Sequence, residues 1–256
     1  MNLNLKKKLF IVSGSTKGIG LRIAEELLEE KAKVIINGRN KESFKKNLIR
    51  LKKKFSRRVY FVFGDINENK TLRSMKAIIL KNNRKLDGLV ANAGSINCPY
   101  KNKNSKQSYK WYYKNNYLNT VKFVNFFINI LKKNRSSIVF ISSIASIKKN
   151  LKAPKGFKDA KLSINNYSEV LAKKLAKYNV RVNTVLPGNI FIKNGSWDIK
   201  MKKNKKEIKQ MIKNNVPLIR FGTAKEVSNS VAFLISDLSG FTTGAQLVID
   251  GGQSLK

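Results

Sequence analysis

Leu9-Phe10-Ile11-Val12-Ser13-Gly14-Ser15-Thr16-Lys17-Gly18-Ile19-Gly20 decides the fold. A short β-branched and aromatic run leads directly into a glycine-rich turn, and the turn runs into a helical pattern. Glycines at such a junction let backbone amides approach a pyrophosphate at a helix N-terminus, where the helix dipole favours anions. The spacing Gly-x3-Gly-x-Gly differs from the common Gly-x-Gly-x2-Gly fingerprint. Taken alone it is also compatible with an ordinary strand–turn–helix junction.

Outward from this stretch the pattern repeats. Strand-like runs fall at Leu9–Ser13, Lys33–Asn37, Val59–Phe63, Leu86–Ala91, Ile138–Ile141, Val180–Val185 and Gln246–Ile249. Helical segments lie near Gly18–Lys31, Lys41–Phe55, Lys70–Asn82, Tyr109–Lys133, Phe157–Tyr178 and Ala224–Leu234. Alternation of this kind predicts an α/β fold: one Rossmann domain over residues 1–256, with a doubly wound parallel sheet of seven strands flanked by helices. The segment 189–216 breaks the pattern, being Lys-rich and poor in strand signal, with Phe191, Trp197, Met201 and Met211 among its charges. Its place after a strand end makes it a candidate substrate lid. An amphipathic surface helix with a structural apolar face reads equally well from the same residues.

Composition narrows the function. With 42% hydrophobic residues and 14 Phe the chain is globular rather than disordered. The apolar run after Lys6-Lys7-Lys8 ends at Val12, too short for a signal-peptide core or a membrane span. Cys98 is the single Cys and there is no His, so a disulfide framework, imidazole metal sites and Ser-His or Cys-His pairs are excluded. A reducing cytoplasm is the simplest setting. The formal charge of +38 attracts phosphates and nucleic acid. The excess is Lys spread along the whole chain beside abundant Asn and Ile, the pattern of A- and T-rich codons, and no nucleic-acid-binding motif accompanies it. Neither nucleic acid nor a membrane is expected as a partner.

Further motifs sit at successive strand ends. Gly64-Asp65-Ile66 closes the third strand, where a carboxylate can accept from an adenine amino group. Ala91-Asn92-Ala93-Gly94 closes the fourth, and Pro187-Gly188, followed by Ile190, the sixth. Several such motifs in register make chance a poor explanation.

On these residues the chain resembles a short-chain dehydrogenase/reductase, similar to 3-oxoacyl-carrier-protein-reductase-like and glucose-dehydrogenase-like members. The resemblance runs from about Lys7 to Ser254 and includes Arg220-Phe221-Gly222-Thr223-Ala224-Lys225-Glu226-Val227, Thr243-Gly244-Ala245 and Asp250-Gly251-Gly252. Ser13 stands where the family usually has Thr. The resemblance implies a nicotinamide cofactor held by Gly14, Ser15, Lys17, Gly18, Ile19, Gly20, Asp65, Ile66, Asn92, Ala93, Gly94, Pro187, Gly188 and Ile190. Selectivity for NADP(H) is argued from charge. NAD-selective sites place a carboxylate after the second strand; here the chain reads Ile36-Asn37-Gly38-Arg39-Asn40. Arg39 can pair with a 2′-phosphate, and Lys17 lies on the same side.

The family's catalytic residues are Asn, Ser, Tyr and Lys. Asn116 matches the Asn, with Asn115 as the register-slipped alternative. Ser143 matches the Ser, with Ser142 turned away by strand alternation. Lys161 matches the Lys, which in relatives also binds the nicotinamide ribose. The Tyr position holds Phe157. The next Tyr on that helix, Tyr167, lies about 15 Å further along the axis. The loop from Ser143 to Phe157 is about one residue long for the family. The expected activity is therefore oxidoreduction of a carbonyl or alcohol with the usual phenol missing, and the alternative is an NADP-binding protein without chemistry. The Lys-rich lid points to an anionic small-molecule substrate. The resemblance also implies a homo-oligomer, dimer or tetramer, through the 109–133 and 157–178 helices, with Trp111, Phe123, Phe126 and Phe127 on their apolar faces. The same aromatics also read as core facing the sheet, which must hold for some of them.

Overall fold

Seven parallel strands form one sheet in the order β3-β2-β1-β4-β5-β6-β9 in this computed structural model, which describes residues 2–82, 85–148 and 150–255. In chain order the elements are β1 (Leu9–Val12), α1 (Gly18–Glu29), β2 (Lys33–Gly38), α2 (Lys41–Phe55), β3 (Val59–Phe63), α3 (Asn69–Lys81), β4 (Gly88–Ala91), α4 (Lys106–Tyr113), α5 (Asn119–Leu131), β5 (Ser136–Ile141), α6 (Lys155–Ala176) and β6 (Val180–Pro187). There follow β7 (Ile190–Phe191), α7 (Ser196–Lys203), α8 (Lys205–Asn215), β8 (Gly222–Thr223), α9 (Ala224–Ile235) and β9 (Gln246–Ile249).

Both faces of the sheet are covered, so its central strands are buried from end to end. Pleating sends Phe10 and Val12 of β1 into a core shared with α1 and α9. Leu9 and Ile11 enter the opposite core, shared with α3, α5 and α6. The fold expected from the sequence is the fold found, and each of the seven strand-like runs is a strand of this sheet. Strand order reverses between β1 and β4, which opens a crevice at the carboxyl ends of both, the usual ligand position in such sheets.

The differences from the sequence reading have local causes. β5 starts at Ser136, two residues earlier than the apolar run, because Ser136 and Ser137 are buried with their hydroxyls donating to Leu131 O and Leu234 O. The continuous helix expected over Tyr109–Lys133 is instead α4 and α5 joined by a π-helical turn at Lys114–Leu118. Within that turn Asn116 is buried, and single π turns of this kind recur at functional sites. Of the aromatics left open between an intersubunit face and the core, Phe123 and Phe127 are fully buried in the core against the sheet. The segment 189–216 is two helices, α7 and α8, parted where Asn204 caps α8 by accepting from Glu207 N. The short strands β7 and β8 went unread; two residues each is too little pattern to detect.

Candidate active site

Ser13 ties the glycine loop to the sheet. Its hydroxyl accepts from the amides of Asn92 (3.0 Å) and Ala93 (3.1 Å) and donates to Val90 O (3.3 Å). Asn92 completes the brace, its amide donating to Ser13 O at 3.0 Å and Gly14 O at 3.1 Å. Ser15 turns inward, accepting from Asn37 N (3.0 Å) and donating to Val12 O (2.5 Å). These bonds fix the loop between β1, β2 and β4 before any ligand arrives.

Two glycines show why the loop is built of them. Gly14 has φ +61°, the left-handed region that residues with a Cβ rarely adopt. At Gly20, on the first turn of α1, a Cβ would sit 2.3 Å from Asn92 Nδ2 and 2.5 Å from Gly14 O. Gly20→Ala is therefore expected to push Asn92 off the loop and weaken dinucleotide binding at least tenfold. Calorimetry checks the affinity, and an unchanged thermal unfolding midpoint shows that the loop alone has moved.

The crevice is an open cleft of about 230 Å³. Of the residues expected to hold a cofactor, Gly14, Lys17, Arg39, Asp65, Ile66, Asn92, Ala93 and Gly94 line it together. Gly18, Ile19 and Gly20 lie behind them at the start of α1. Gly188 packs against Asp250, and Ile190 is buried beside Gly222. These two, with Pro187 at the end of β6, stand outside the cleft lining. Asn115, the register-slipped alternative to Asn116, lines it as well, and so do Thr16, Asn37, Asn40, Ser95 and Asn119, which were not assigned from sequence. Their only signal was position, Asn37 at a strand end and Ser95 directly after the Asn92-Ala93-Gly94 motif.

At the outer end, Arg39 Nη1 lies 2.7 Å from Asp65 Oδ2, with the Arg side chain mostly exposed. One arm of the guanidinium is thereby oriented, and its remaining donors stay open to the cleft. Nearby, Asn37 Nδ2 donates to Val62 O and Gly64 O, fixing the floor between β2 and β3.

Asn116, Ser143, Phe157 and Lys161 stand outside the cleft lining. Beside Ser95, which does line it, the side chain of Asn116 accepts from Ser95 N (2.9 Å) and donates to Ser95 O and Tyr112 O (3.0 Å each). Ser143 caps a short 3₁₀ turn after β5, its hydroxyl accepting from Ala145 N. Ser142 is buried and donates to Lys161 O. Lys161 is 6% exposed and donates to Ile141 O at 2.8 Å. Phe157, one helical turn earlier, packs with Cys98, Tyr112 and Ala145; its ring stands edge-on to Tyr112 at 6.2 Å between centroids. The Lys161 ammonium lies 5.8 Å from the Phe157 ring centre.

Burial of a cation without a carboxylate depresses its pKa, and Lys161 falls from 10.5 to about 8 through desolvation. The unfolded chain keeps that proton up to the ordinary value while the native chain releases it near 8, so stability rises with pH across this window. Below pH 8 the full cost of the buried charge is present. Lys161→Met is therefore expected to unfold at a higher temperature than the native protein at pH 7, with the gap closing towards pH 10; thermal melts of both at each pH check it.

Residues 14–254 match the family model described as enoyl-(acyl carrier protein) reductase. The chain belongs to the short-chain dehydrogenase/reductase family. It is 31% identical over 253 residues to a 3-oxoacyl-[acyl-carrier-protein] reductase of Aquifex aeolicus, covering 98% of this chain and 99% of that one. It is 27% identical to glucose 1-dehydrogenase 2 of Bacillus subtilis, covering 100% and 98%. Among solved structures, L-sorbose reductase of Gluconobacter frateurii, complexed with NADPH and L-sorbose, superposes with TM-score 0.88 at 23% identity, covering 99% and 98%. An NADPH-bound short-chain oxidoreductase of Pseudomonas aeruginosa, described as containing an atypical catalytic center, gives 0.87 at 23% identity, covering 96% and 98%. At that identity these two structures speak for the shared fold. Among the described residues no helix is long and apolar enough to cross a membrane, and no cluster of His, Cys, Asp and Glu fits a metal.

Proposed function

We propose that this family member is an NADP(H)-dependent oxidoreductase of a carbonyl or alcohol whose catalytic set is Asn116, Ser143 and Lys161, with Phe157 in the place of the family's Tyr. The observation that carries the reading is the cleft itself. It lies at the switch point, is floored by a glycine loop with no room for side chains, and is flanked by Lys17 and Arg39. No carboxylate follows β2 within it, and the acid nearest that end, Asp65, is already engaged by Arg39.

The residues fit a phosphorylated dinucleotide. Loop amides at the N-terminus of α1 suit a pyrophosphate, and Lys17 and the open donors of Arg39 suit a 2′-phosphate. Asn92 keeps the loop rigid, so little ordering is left to binding. A bound nicotinamide dinucleotide phosphate would supply the hydride. Ser143 would orient the substrate carbonyl with its hydroxyl, and Asn116 would hold the inner wall in place through Ser95. Phe157 keeps an aromatic wall beside Lys161 but has no proton to give.

The acyl-carrier-protein and sugar substrates of the relatives are both carbonyl or alcohol compounds. The lid adds Lys200, Lys202, Lys203, Lys205 and Lys206 on α7 and α8, which favours an anionic member of that class. The test is NADPH oxidation against matched neutral and anionic carbonyl compounds. Turnover that favours the anionic member supports the whole reading. Turnover of neither, with NADPH bound, reduces it to a cofactor-binding role.

Oligomerisation belongs to the same reading. Leu118 before α5 and Leu162 and Val170 on α6 are 44–50% exposed and leave apolar surface on neighbouring elements. Light scattering at micromolar protein is expected to give a dimer or tetramer, and a monomer would contradict it.

A further inference from the structure

Phe157 leaves the reaction without its usual acid, and one group near it has protons to give. The Lys161 ammonium makes one hydrogen bond among the described residues, to Ile141 O, so two of its three protons lack a protein acceptor. It lies 3.6 Å from where a Cβ on Gly94 would sit, and Gly94 lines the cleft. Gly94 is thus a cleft residue beside the buried ammonium, and Lys161 itself stands outside the lining. Lys161 takes part in no salt bridge among the described residues, so no carboxylate competes for its proton.

The surroundings leave few rivals. On α4, Tyr112 is buried and donates to Ile96 O, Tyr109 to Asp159 Oδ2, and Tyr113 shares a hydrogen bond with Ser163 Oγ. Tyr117 in the π turn packs on Tyr113 and Tyr167. Cys98 is buried behind Phe157. Arg181 on β6 is bonded to Leu234 O and Ser236 O. On its own helix, Asp159, the nearest acid in sequence, faces Tyr109. Burial alone sets the acidity of Lys161, at about 8, and a general acid works best when its pKa lies near the working pH.

We infer that Lys161 itself is the proton donor to the substrate oxygen, directly or across one water. The inference rests on the proposed oxidoreductase reading. In reduction both electrons reach the carbonyl carbon as the hydride, which forms the new C–H bond. The oxygen takes one proton from Nζ: the N–H bond breaks, the O–H bond forms, and Lys161 is left as the neutral amine. Solvent then restores the proton. In oxidation the neutral amine accepts the hydroxyl proton.

Two readouts test it. In protein labelled with 15N at lysine Nζ, the resonance that disappears in Lys161→Arg is expected to titrate near pH 8, against roughly 10.4 for ordinary lysines. With NADPH and acetoacetyl-coenzyme A or 2,3-butanedione as probes, kcat/KM for reduction is expected to fall tenfold per pH unit above that same value. Lys161→Arg keeps the charge but cannot release its proton. It is expected to lose on the order of 10²-fold in rate and to show no such fall, a general acid being typically worth ~10²–10⁴. Phe157→Leu is expected to retain the fall, since the ring is not its source. Titration of Lys161 at the ordinary lysine value, a fall that persists in Lys161→Arg, or no reduction of either probe overturns the inference. NADPH calorimetry on the same sample separates the two claims: without binding the oxidoreductase reading itself fails.

Discussion

Phe157→Tyr is expected to raise NADPH-dependent carbonyl reduction, by less than the ~10²–10⁴-fold that a general acid gives a site without one, since Lys161 already has protons to give. The substitution adds one oxygen to a ring already held between Tyr112 and Lys161, four residues before that Lys and therefore on the same face of α6. A new phenol there has the ammonium beside it, which favours ionisation and shared protons. It also enters an apolar cluster with Cys98 and Ala145. A hydroxyl left unpaired in such a place costs about 1–3 kcal/mol, so the unfolding temperature reports whether it has found a partner. Measurement is kcat/KM on the native and variant proteins over pH 6–10. A gain shows that Asn116, Ser143 and Lys161 still form a competent site. No gain, with the fold intact, means that the surrounding walls are no longer shaped for a carbonyl.

Arg39→Asp is expected to reverse cofactor preference. Loss of a charge-assisted contact is worth about 1.5–3 kcal/mol, or roughly ten- to a hundredfold in NADPH affinity. A carboxylate at this position repels the 2′-phosphate besides, and it can accept from the 2′-hydroxyl of NAD. Asp65 makes the effect larger, because it now pairs with Arg39 at 2.7 Å and would lose that cation. Arg39→Ala separates the two contributions, since it removes the contact and adds no repulsion. Unchanged NADPH affinity in both variants would place the 2′-phosphate elsewhere.

The sheet was legible because its strands are buried on both faces. Phe10, Ile11 and Val12 or Ile138, Val139 and Phe140 read as unbroken apolar runs, and such runs alternating with helical periods admit few arrangements. The cleft was half legible. Gly14, Gly20 and Asn92 carry backbone constraints that show as residue type, whereas Thr16, Asn40 and Asn119 contribute only through where the chain brings them. The π turn at Asn116 was invisible, because one extra residue in a helix leaves no mark on a periodicity of 3.6. Phe123 and Phe127 stayed open for a related reason. An apolar helix face does not say whether it meets the sheet or a partner, and here both rings meet the sheet. The environment of Lys161 was also beyond sequence: its burial and single acceptor depend on Ile141 and Gly94, far apart in the chain.

The most direct test of the account is calorimetry of the purified protein with NADPH and with NADH. The account predicts one site per chain, with NADPH bound at least tenfold more tightly than NADH, and the preference lost in Arg39→Ala. Binding of neither dinucleotide, or tighter binding of NADH, would contradict it.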